Sequence, residues 1–380
     1  MKNLYLLPVL LLFAACQGNK KSGPAVPEGS VKTFQVQTGD DSCDKLGDLL
    51  ELDRYTVLAQ EPLLGDIRRI LVNDDRIYLL DNTPQIVCYD LDGRVNYQIV
   101  SQGNGPQEFG YLLDFCIDPD SMQLVAYDNR RGSLVRYDMA TGRYCSETPV
   151  EGISAMGIAY ANGRIYYDNA DHHSYPDRKE MHYYLLESSD GNRIEHRYFP
   201  HDAVAEYDFN LGDGHPFFYN DGQVYYNNRF DKTVYILEPG GPRPVYEINL
   251  PNPVPLSEIG SKIDAFDLIQ SDYSSGMSDI FRCGDILYFW FTRQGRVHSG
   301  FYRTASQEPV YCGYRMDNKP TRKLPFLSLM RGVYKNRFFS VVQPDVIIRQ
   351  RDSAPDVFPG DLQQLTEMDN PVVAFYKVVK

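Results

Sequence analysis

Short apolar runs alternate with polar turns along most of the chain, and they recur in groups of four. The first group contains four runs separated by turns rich in Asp, Asn and Gly, namely Ile67–Val72, Arg76–Leu80, Gln85–Tyr89 and Arg94–Val100. Runs of this length between such turns predict β-strands joined as hairpins. Similar groups begin near residues 112, 155, 215 and 277. The pattern therefore predicts a series of four-stranded antiparallel sheets.

A glycine returns at an interval of 49 residues within these groups. Gly93, Gly142, Gly191 and Gly240 each follow a run rich in Tyr or Leu that ends in a polar turn. A period of this length indicates that one supersecondary unit is repeated. Aligned strand by strand, each glycine falls in the predicted turn between the third and fourth strands of its unit.

A sixth group lacks one strand. It contains Leu327–Val333, Arg337–Val342 and Val372–Val379, while the run Tyr55–Ala59 before the first group has no unit of its own. Pairing this run with the last strand closes the sheets into a circle, which protects sheet edges that would otherwise stay unpaired. The sequence therefore predicts an all-β fold, a six-bladed β-propeller of four-stranded antiparallel blades in which the N-terminal strand closes the last blade.

Two segments between the predicted strands have a helical pattern. Ser257–Tyr273 places apolar residues at helical spacing, and Asp361–Met368 is a shorter candidate. Both lie in long connections, and the first is positioned to cap one face of the propeller.

The first 16 residues have the features of a lipoprotein signal peptide. Lys2 precedes the apolar stretch Leu4–Phe13, and residues 12–16 resemble a bacterial lipobox. This predicts cleavage before Cys16 and lipidation of its sulfur, while an ordinary signal peptide with a chance cysteine is the alternative. Residues 17–44 then form a flexible tether and residues 45–380 the propeller. The expected location is the cell envelope, with the protein anchored to the outer membrane and facing the periplasm, because the tether carries lysines and no acidic run.

The composition narrows the class of partner. A net charge of −13 argues against a nucleic-acid-binding protein, because phosphate recognition needs a basic surface. The 29 tyrosines and the aromatic content of 13% favour strands over helices. The cysteines after Cys16 lack metal-binding spacing, so no zinc site is expected. Cys283 and Cys312 are a candidate disulfide, although buried free thiols are the favoured state.

The link after the first unit carries a recognisable motif. Residues 102–109 read Gln-Gly-Asn-Gly-Pro-Gln-Glu-Phe, and together with Phe115–Pro119 and the strands that follow they resemble an NHL-type repeat. With the early Gly65–Ile67 and the ending Asp369–Lys377, the chain resembles the six-bladed β-propeller lipoproteins of Bacteroides-type bacteria, an NHL- or TolB-like group. The resemblance implies the propeller fold and an envelope location, and no specific activity. The link departs from the family's Gly-Pro-Gly-Glu-Tyr at Gln107, which makes a positive φ there less favourable.

The loops between second and third strands are expected to share a face with the links between blades, and they contain the candidate ligand-binding residues. These are Asn82, Asn129, Arg130, Arg131, His172, His173, Arg229, Arg293 and Arg296. Arginine suits carboxylate, phosphate or sulfate groups, so this rim is predicted to bind an anionic ligand or an acidic partner surface. The alternative is that the arginines are solvated or pair with nearby acids. The adjacent histidines are a weak candidate for metal binding.

Two functions from different classes remain open. The favoured one is a lipid-anchored, monomeric binding or scaffold module without a cofactor, whose ligand is a protein, a glycan or a peptide. The alternative is a propeller hydrolase or lyase with Ca²⁺ at the channel mouth, held by one residue from each of four blades, Asp81, Asp128, Asp168 and Asn227. These residues end their strands, where Asp and Asn fix turns by bonding the backbone two residues on. The turn-fixing role is the favoured interpretation.

Overall fold

The computed structural model describes residues 31–39, 44–83, 85–105, 107–150, 152–169, 177–202, 215–220, 222–228, 230–259, 264–314 and 320–379. Within these ranges the chain is built mainly of β-strands with a few short helices. Before the repeated units it forms β1 (Lys32–Gln35), α1 (Asp44–Leu49) and β2 (Leu50–Val57).

Six antiparallel sheets follow one another, and their innermost strands contact each other around a central channel. The first blade consists of β3 (Ile67–Asn73), β4 (Arg76–Asp81), β5 (Ile86–Asp90) and β6 (Val95–Ile99). The second consists of β7 (Leu112–Asp118), β8 (Gln123–Asp128), β9 (Ser133–Asp138) and β10 (Tyr144–Pro149). The third consists of β11 (Gly157–Ala161), β12 (Arg164–Asp168), β13 (Tyr183–Ser188) and β14 (His196–Pro200).

The other three blades repeat this order, with helices in the connections. The fourth consists of β15 (Phe217–Asn220), β16 (Gln223–Asn227), β17 (Thr233–Glu238) and β18 (Gly241–Asn249). After α2 (Ala265–Gln270), the fifth consists of β19 (Ser275–Cys283), β20 (Ile286–Arg293), β21 (Arg296–Arg303) and β22 (Pro309–Gly313). The last strands are β23 (Met330–Tyr334), β24 (Arg337–Val342) and, after α3 (Pro344–Ser353), β25 (Val372–Val378).

Closure of the ring follows the sequence prediction. The sixth sheet has the order β23, β24, β25, β2, so the N-terminal strand becomes its outermost strand. Asn370 fastens the connection beside it, because its side-chain amide donates to the carbonyls of Ala59 and Pro62 and its oxygen accepts from the amide of Leu64. The six-bladed propeller closed by its N-terminal strand is therefore confirmed.

The glycine period corresponds to one type of turn. Gly93, Gly142 and Gly191 lie between third and fourth strands with φ of +84°, +68° and +79°. In the fourth blade Gly240 precedes Gly241, which takes a φ of +109°. Residues with a Cβ are disfavoured in this part of backbone space. The predicted turn position is confirmed, and the role of these glycines is structural.

A segment before the repeat also joins the propeller. β1 pairs in parallel with β18, so the fourth blade has five strands. Phe34 is fully buried there, and its ring contacts those of Tyr246 and Tyr302. No strand was predicted within residues 17–44. The four residues of β1 have no counterpart in the repeat, and they pair with a strand that is distant in the sequence. Cys16 and the predicted signal peptide lie outside the described residues.

The helices differ in extent from the predicted ones. The segment Ser257–Tyr273 contains part of a 3₁₀ turn and the short α2. Asp264 caps α2 at its N-terminus, because its carboxylate accepts a hydrogen bond from the Asp267 amide. Residues 360–364 form a 3₁₀ helix where a helical segment was predicted. The ten-residue α3 was not predicted, although Pro344 at its start suits the first helical turn. Across the described ranges no helix combines the length and apolar character that a membrane span requires.

Aromatic and branched side chains fill the space between neighbouring blades. Tyr288 of the fifth blade, for example, packs against Phe301 and Phe338 with ring centroids 4.9 Å and 6.2 Å apart. Burial of each such side chain contributes roughly 1.5–3 kcal/mol. Cys283 and Cys312 are buried thiols that form no disulfide, as the favoured interpretation expected.

The strand order gives the propeller two distinct faces. The links between blades and the loops between second and third strands lie on one face, called the loop face below. The turns between first and second strands and between third and fourth strands lie on the opposite side, called the hairpin face. The backbone hydrogen bond from Asn82 to Asp66 joins a loop to a link and shows that these segments share a face, as predicted.

The glycine-rich link lies on the loop face between the first and second blades. Gln102 and Phe109 form an isolated β-bridge, and the Gly105 amide donates to the Glu108 carboxylate at 2.6 Å. Gln107 has a φ of +66°. The left-handed backbone is therefore retained where the family motif has glycine, at a cost of about 1–2 kcal/mol for a residue with a Cβ.

Candidate functional site

Carboxylates at the ends of second strands fasten the loops of the loop face. Asp81 accepts hydrogen bonds from the amides of Gly65 and Thr83 at 2.9 Å and 3.0 Å. Asp128 repeats the arrangement, because its carboxylate accepts from the Arg130 amide at 3.1 Å and from two amides of the preceding link. Each carboxylate thus binds the backbone two residues on and the link before its own blade. The turn-fixing interpretation is confirmed for these two residues.

The other two residues named as candidate calcium ligands also form hydrogen bonds with groups of the protein. The Asn227 side-chain amide donates to the carbonyls of Asp231 and Thr233 at 2.9 Å and 2.8 Å. Asp168 accepts a hydrogen bond from the Tyr226 hydroxyl at 3.2 Å. Within the described ranges, no group of three or more His, Cys, Asp or Glu residues is arranged to hold a metal ion.

Three of the predicted rim residues are held by neighbouring groups. The side chain of Asn82 donates to a carboxylate of the adjoining link at 3.1 Å. Arg131 forms an ion pair with Glu147 at 3.1 Å. Arg293 forms one with Asp272 at 2.8 Å. For the two arginines, pairing with nearby acids was the alternative considered from the sequence.

The remaining rim residues are exposed or lie outside the described residues. Asn129, Arg130 and Arg296 are exposed on the loop face, and the guanidinium of Arg296 lies 4.2 Å from the ring centroid of Tyr314. Three candidates lie outside the described residues, namely His172, His173 and Arg229. The described contacts leave the rim as separate positions around the loop face and do not unite them in one cluster.

Irregularities in the innermost strands place charged residues beside the channel. The pairing of first with second strands shifts register beside Arg69 in the first blade, beside Asp114 in the second and at Arg331 in the sixth. The fifth blade has similar shifts beside Asp279. Such β-bulges re-aim a side chain that regular pairing would direct elsewhere. These four residues are called the charged layer below.

Asp114 is the centre of a hydrogen-bond network that crosses the channel. Its Oδ2 accepts from Nε2 of His215 at 2.8 Å and from the Ile158 amide at 2.7 Å. Its Oδ1 lies 3.7 Å from Nε of Arg69. Burial works to raise the pKa of Asp114, but the hydrogen bonds from His215 and the Ile158 amide and the charge of Arg69 outweigh it and hold the pKa below its usual range. The carboxylate is therefore ionised within the channel.

His215 is satisfied at both ring nitrogens in a single tautomer. Nε2 donates to Asp114, and Nδ1 accepts from the Phe217 amide at 3.1 Å. Burial, followed by the charge of Arg69, lowers the pKa of His215 below its usual value. The imidazole is therefore neutral at neutral pH, and it orients Asp114 without compensating its charge.

The opposite side of the charged layer contains a second carboxyl group. Asp279 accepts from Nε1 of Trp290 at 2.8 Å and lies 4.0 Å from Nη1 of Arg331. Burial raises the pKa of Asp279, although the charge of Arg331 opposes the shift. Trp290 is the single tryptophan of the chain, so its fluorescence reports on this part of the channel.

A cavity of about 390 Å³ extends from the charged layer to the hairpin face. Arg69 and Arg331 form its inner end, and its mouth lies among the turns at Asn73, Pro119 and Lys335. Its walls include the apolar side chains of Ile70, Val72, Ile117, Phe217, Phe281 and Phe339, with polar groups at both ends. The volume lies within the range of about 300–1,000 Å³ that is typical of small-molecule sites. This candidate site opens on the face opposite to the predicted rim.

The sequence contained a signal for the charged layer that was not used. Arg69, Asp114, Asp279 and Arg331 interrupt apolar innermost strands. Charged residues are rarely buried unless they are paired, so each interruption marks a position that needs a partner or a ligand. Their pairing could not be derived, because the partners belong to different blades and meet only across the channel.

Comparisons with known proteins agree with this architecture. The family model described as "Domain of unknown function (DUF4934)" matches residues 59–377. A protein of Bacteroides fragilis described as exported has a similar structure, with a TM-score of 0.75 and 18% identity, covering 92% of this chain and 100% of that chain. A DUF4221 family member from Bacteroides vulgatus gives a TM-score of 0.51 at 10% identity, covering 88% and 99%. At these identities the similarity shows the fold alone. A comparison with curated protein sequences finds no match.

Proposed function

The chain belongs to the DUF4934 family, and we propose that this member is a binding protein of the cell envelope whose ligand enters the channel cavity from the hairpin face. The cavity itself carries the proposal. It combines apolar wall residues with polar groups, among them the buried Arg69 at its inner end, and small-molecule sites use such a combination for affinity and orientation.

The hydrogen bonds of the charged layer favour binding over proton-transfer chemistry. Both nitrogens of His215 are engaged, by Asp114 and by the Phe217 amide. A general acid or base must be within reach of the proton that it transfers. Because the histidine is committed to its protein partners, the network serves to hold the channel's charges in place.

The proposed location rests on the N-terminal sequence. The lipobox-like residues before Cys16 support lipidation and outer-membrane anchoring, and the similar protein of B. fragilis is described as exported. The glycine-rich link and its bridge between Gln102 and Phe109 support the assignment to the NHL- or TolB-like propellers. β1 runs parallel to β18, from the hairpin face toward the loop face, so the tether joins the domain on the side where the cavity opens.

Fluorescence of Trp290 offers a direct test of cavity binding. A library of small acids, amides, sugars and peptides is titrated into the purified protein while the emission of this single tryptophan is followed. A ligand bound in the cavity is expected to lose its affinity in Val333→Phe, because the larger ring fills space at the cavity wall. The matched control Val95→Phe, on the outer strand of the first blade, is expected to bind normally. Equal binding by both variants would place the ligand elsewhere and refute the proposal.

The anchor is tested separately in cells. Cys16→Ser is expected to move the protein from the membrane fraction to the soluble fraction, because several acyl chains are needed for stable attachment. The substitution Cys145→Ser, at an exposed cysteine of the second blade, is the control for loss of a thiol. Retention of Cys16→Ser in the membrane fraction would contradict lipidation at this residue.

The loop face is proposed as a second surface, for a protein partner. Arg130 and Arg296 are exposed on it, and so are the apolar side chains of Phe266 and Met368, which are 72% and 78% exposed. The double variant Arg130→Ala and Arg296→Ala is expected to weaken capture of an acidic envelope partner in crosslinking experiments. Unchanged crosslinks would rule out a role for the rim arginines.

A further inference from the structure

We infer that the inner end of the cavity binds the carboxylate of an apolar acid, held by the side chains of Arg69 and Tyr219. The inference rests on the proposed function, because it names the class of ligand that the same cavity takes. Unused hydrogen-bond donors, the balance of charge in the channel and the apolar wall residues support it.

Arg69 has more hydrogen-bond donors than the protein satisfies. Its side chain is buried, with 7% of the residue exposed, and it lines the cavity. Nη1 donates to the Phe217 carbonyl at 3.4 Å, whereas Nε and Nη2 find no hydrogen-bond partner in the described part of the chain. A guanidinium carries five N–H donors, and burying a charged donor without a partner is unfavourable. A ligand oxygen in the cavity would supply the missing acceptor.

Tyr219 offers a second unused donor beside the first. Its hydroxyl is buried and donates to no acceptor among the described residues, and its charged neighbour is the Arg69 guanidinium. The Arg69 guanidinium lies 5.4 Å from the centroid of its ring, and both side chains line the cavity. Burial raises the pKa of the Tyr219 hydroxyl, so the group keeps its proton and donates. One anionic group can therefore accept from the arginine and the tyrosine together.

The charges around the inner end favour a ligand with a single negative charge. Arg69 and Arg331 both reach the cavity, and Asp114 balances the first of them. Asp279 balances the second less fully, because burial opposes its ionisation and the two groups are 4.0 Å apart. The inner end thus retains positive charge that a carboxylate would neutralise.

A carboxylate fits this site better than a phosphate. A phosphate monoester carries about −1.5 to −2 charges at neutral pH, which exceeds the single positive charge that Asp114 and Asp279 leave at the inner end. Between the inner end and the mouth, apolar residues such as Val72, Ile117 and Phe281 offer a surface for a hydrocarbon chain or ring. The ligand class is therefore an acid whose charged head lies at Arg69 and whose apolar body extends toward the hairpin face.

The experiment compares three probes with the same hydrocarbon chain. Octanoate, octanamide and octyl phosphate are titrated into the purified protein by calorimetry and by Trp290 fluorescence. Octanoate is expected to bind at least about tenfold more tightly than either analogue, since a hydrogen bond to a charged group strengthens binding by this order. Equal affinities for octanoate and octanamide would overturn the inference, and so would an absence of octanoate binding.

Two variants identify the residues that hold the carboxylate. Tyr219→Phe removes the hydroxyl alone, and Arg69→Lys keeps a positive charge beside Asp114 but removes the guanidinium. Each is expected to weaken octanoate binding by about tenfold while leaving octanamide unchanged. Tyr89→Phe is the matched control, because its hydroxyl is also buried without a hydrogen-bond partner in the described ranges and the residue does not line the cavity.

The outcomes separate this inference from the proposed function. If Tyr219→Phe and Arg69→Lys both fold and bind octanoate like the unaltered protein, the carboxylate is not held by these residues. If octanoate and octanamide then both lose binding in Val333→Phe, the cavity still binds ligands and only their proposed class is wrong. If Val333→Phe leaves all binding unchanged, the proposed function fails together with the inference.

Discussion

Replacing Asp114 with asparagine is expected to lower stability and raise ligand affinity at the same time. The substitution keeps the size of the side chain and an oxygen that can accept the Ile158 amide. It removes the negative charge that lies 3.7 Å from Nε of Arg69. The guanidinium would then be a buried charge without its counter-ion.

The loss of stability can be worked from that distance. Two unit charges 3.7 Å apart attract each other by about 4–5 kcal/mol at an effective dielectric constant of about 20. Removing one partner of a buried ion pair costs about 3–5 kcal/mol in measured cases. Since both side chains are almost completely buried, solvent screening reduces this figure little. We expect the free energy of unfolding to fall by about 3–5 kcal/mol.

Ligand affinity should change in the opposite direction. Asp114 competes with a bound carboxylate for the charge of Arg69 and repels it. Without that charge, octanoate is expected to bind on the order of tenfold more tightly. A residue with a purely structural role would lower stability and weaken or leave unchanged the binding of a ligand, so the opposite signs are the diagnostic result.

Urea unfolding followed by circular dichroism measures the first effect, and calorimetric titration of octanoate below the unfolding transition measures the second. Asp92→Asn, in the exposed turn between β5 and β6, is the matched control and is expected to change both quantities little. A loss of stability below about 1 kcal/mol would show that Asp114 and Arg69 are not coupled as the geometry indicates. Weaker octanoate binding in Asp114→Asn would refute the proposed competition for Arg69.

Three further predictions concern other parts of the structure. Asn370→Ala is expected to lower stability by about 2–3 kcal/mol, because it removes three hydrogen bonds beside the closing strand, and chemical denaturation measures this. Gln107→Gly is expected to raise the free energy of unfolding by about 1 kcal/mol, because glycine adopts the observed φ of +66° without strain. Stability should fall as the pH drops below about 6.5, because the lowered pKa of His215 leaves the folded state with fewer protons than the unfolded state. Thermal melts measured across this pH range should show a smaller fall in stability for His215→Gln.

Each of these predictions has a control and a contradicting result. Asn192→Ala, in an exposed turn, should leave stability almost unchanged. An equal loss of stability in both asparagine variants would show that the hydrogen bonds of Asn370 do not stabilise the closure. Gln123→Gly, in the extended strand β8, should destabilise, so a gain there would show that the effect of Gln107→Gly does not depend on φ. For His215, the neighbouring Arg69, Asp114 and Asp279 stay in place in the variant. An unchanged slope of stability against pH would therefore show that the histidine does not contribute.

The blades could be predicted because they are encoded locally. Each strand is a short run between turn residues, and the unit recurs, so that a weak signal in one blade is supported by the others. Closure by the N-terminal strand was predictable because the last blade lacked one strand. β1 and α3 escaped prediction, because β1 gains its hydrogen bonds from a distant strand and the sequence of α3 is largely polar.

The candidate site was less predictable than the fold. Loop arginines such as Arg130 can be recognised from the sequence as possible anion-binding residues. The contacts that form the channel site, however, are made by buried residues of different blades. Arg69 reaches the Phe217 carbonyl of the fourth blade, and Asp114 reaches the third and fourth blades. Such pairings depend on how six sheets are arranged around an axis, which no local pattern encodes. The recurring bulge beside a charged residue is visible only once the strand register is known.

A crystal structure of the protein with bound octanoate tests the central claim most directly. We expect the carboxylate to lie within about 3 Å of Arg69 and of the Tyr219 hydroxyl, with the hydrocarbon chain directed toward the hairpin face. Octanoate bound on the loop face, or bound in the channel with its carboxylate at the hairpin turns, would contradict it.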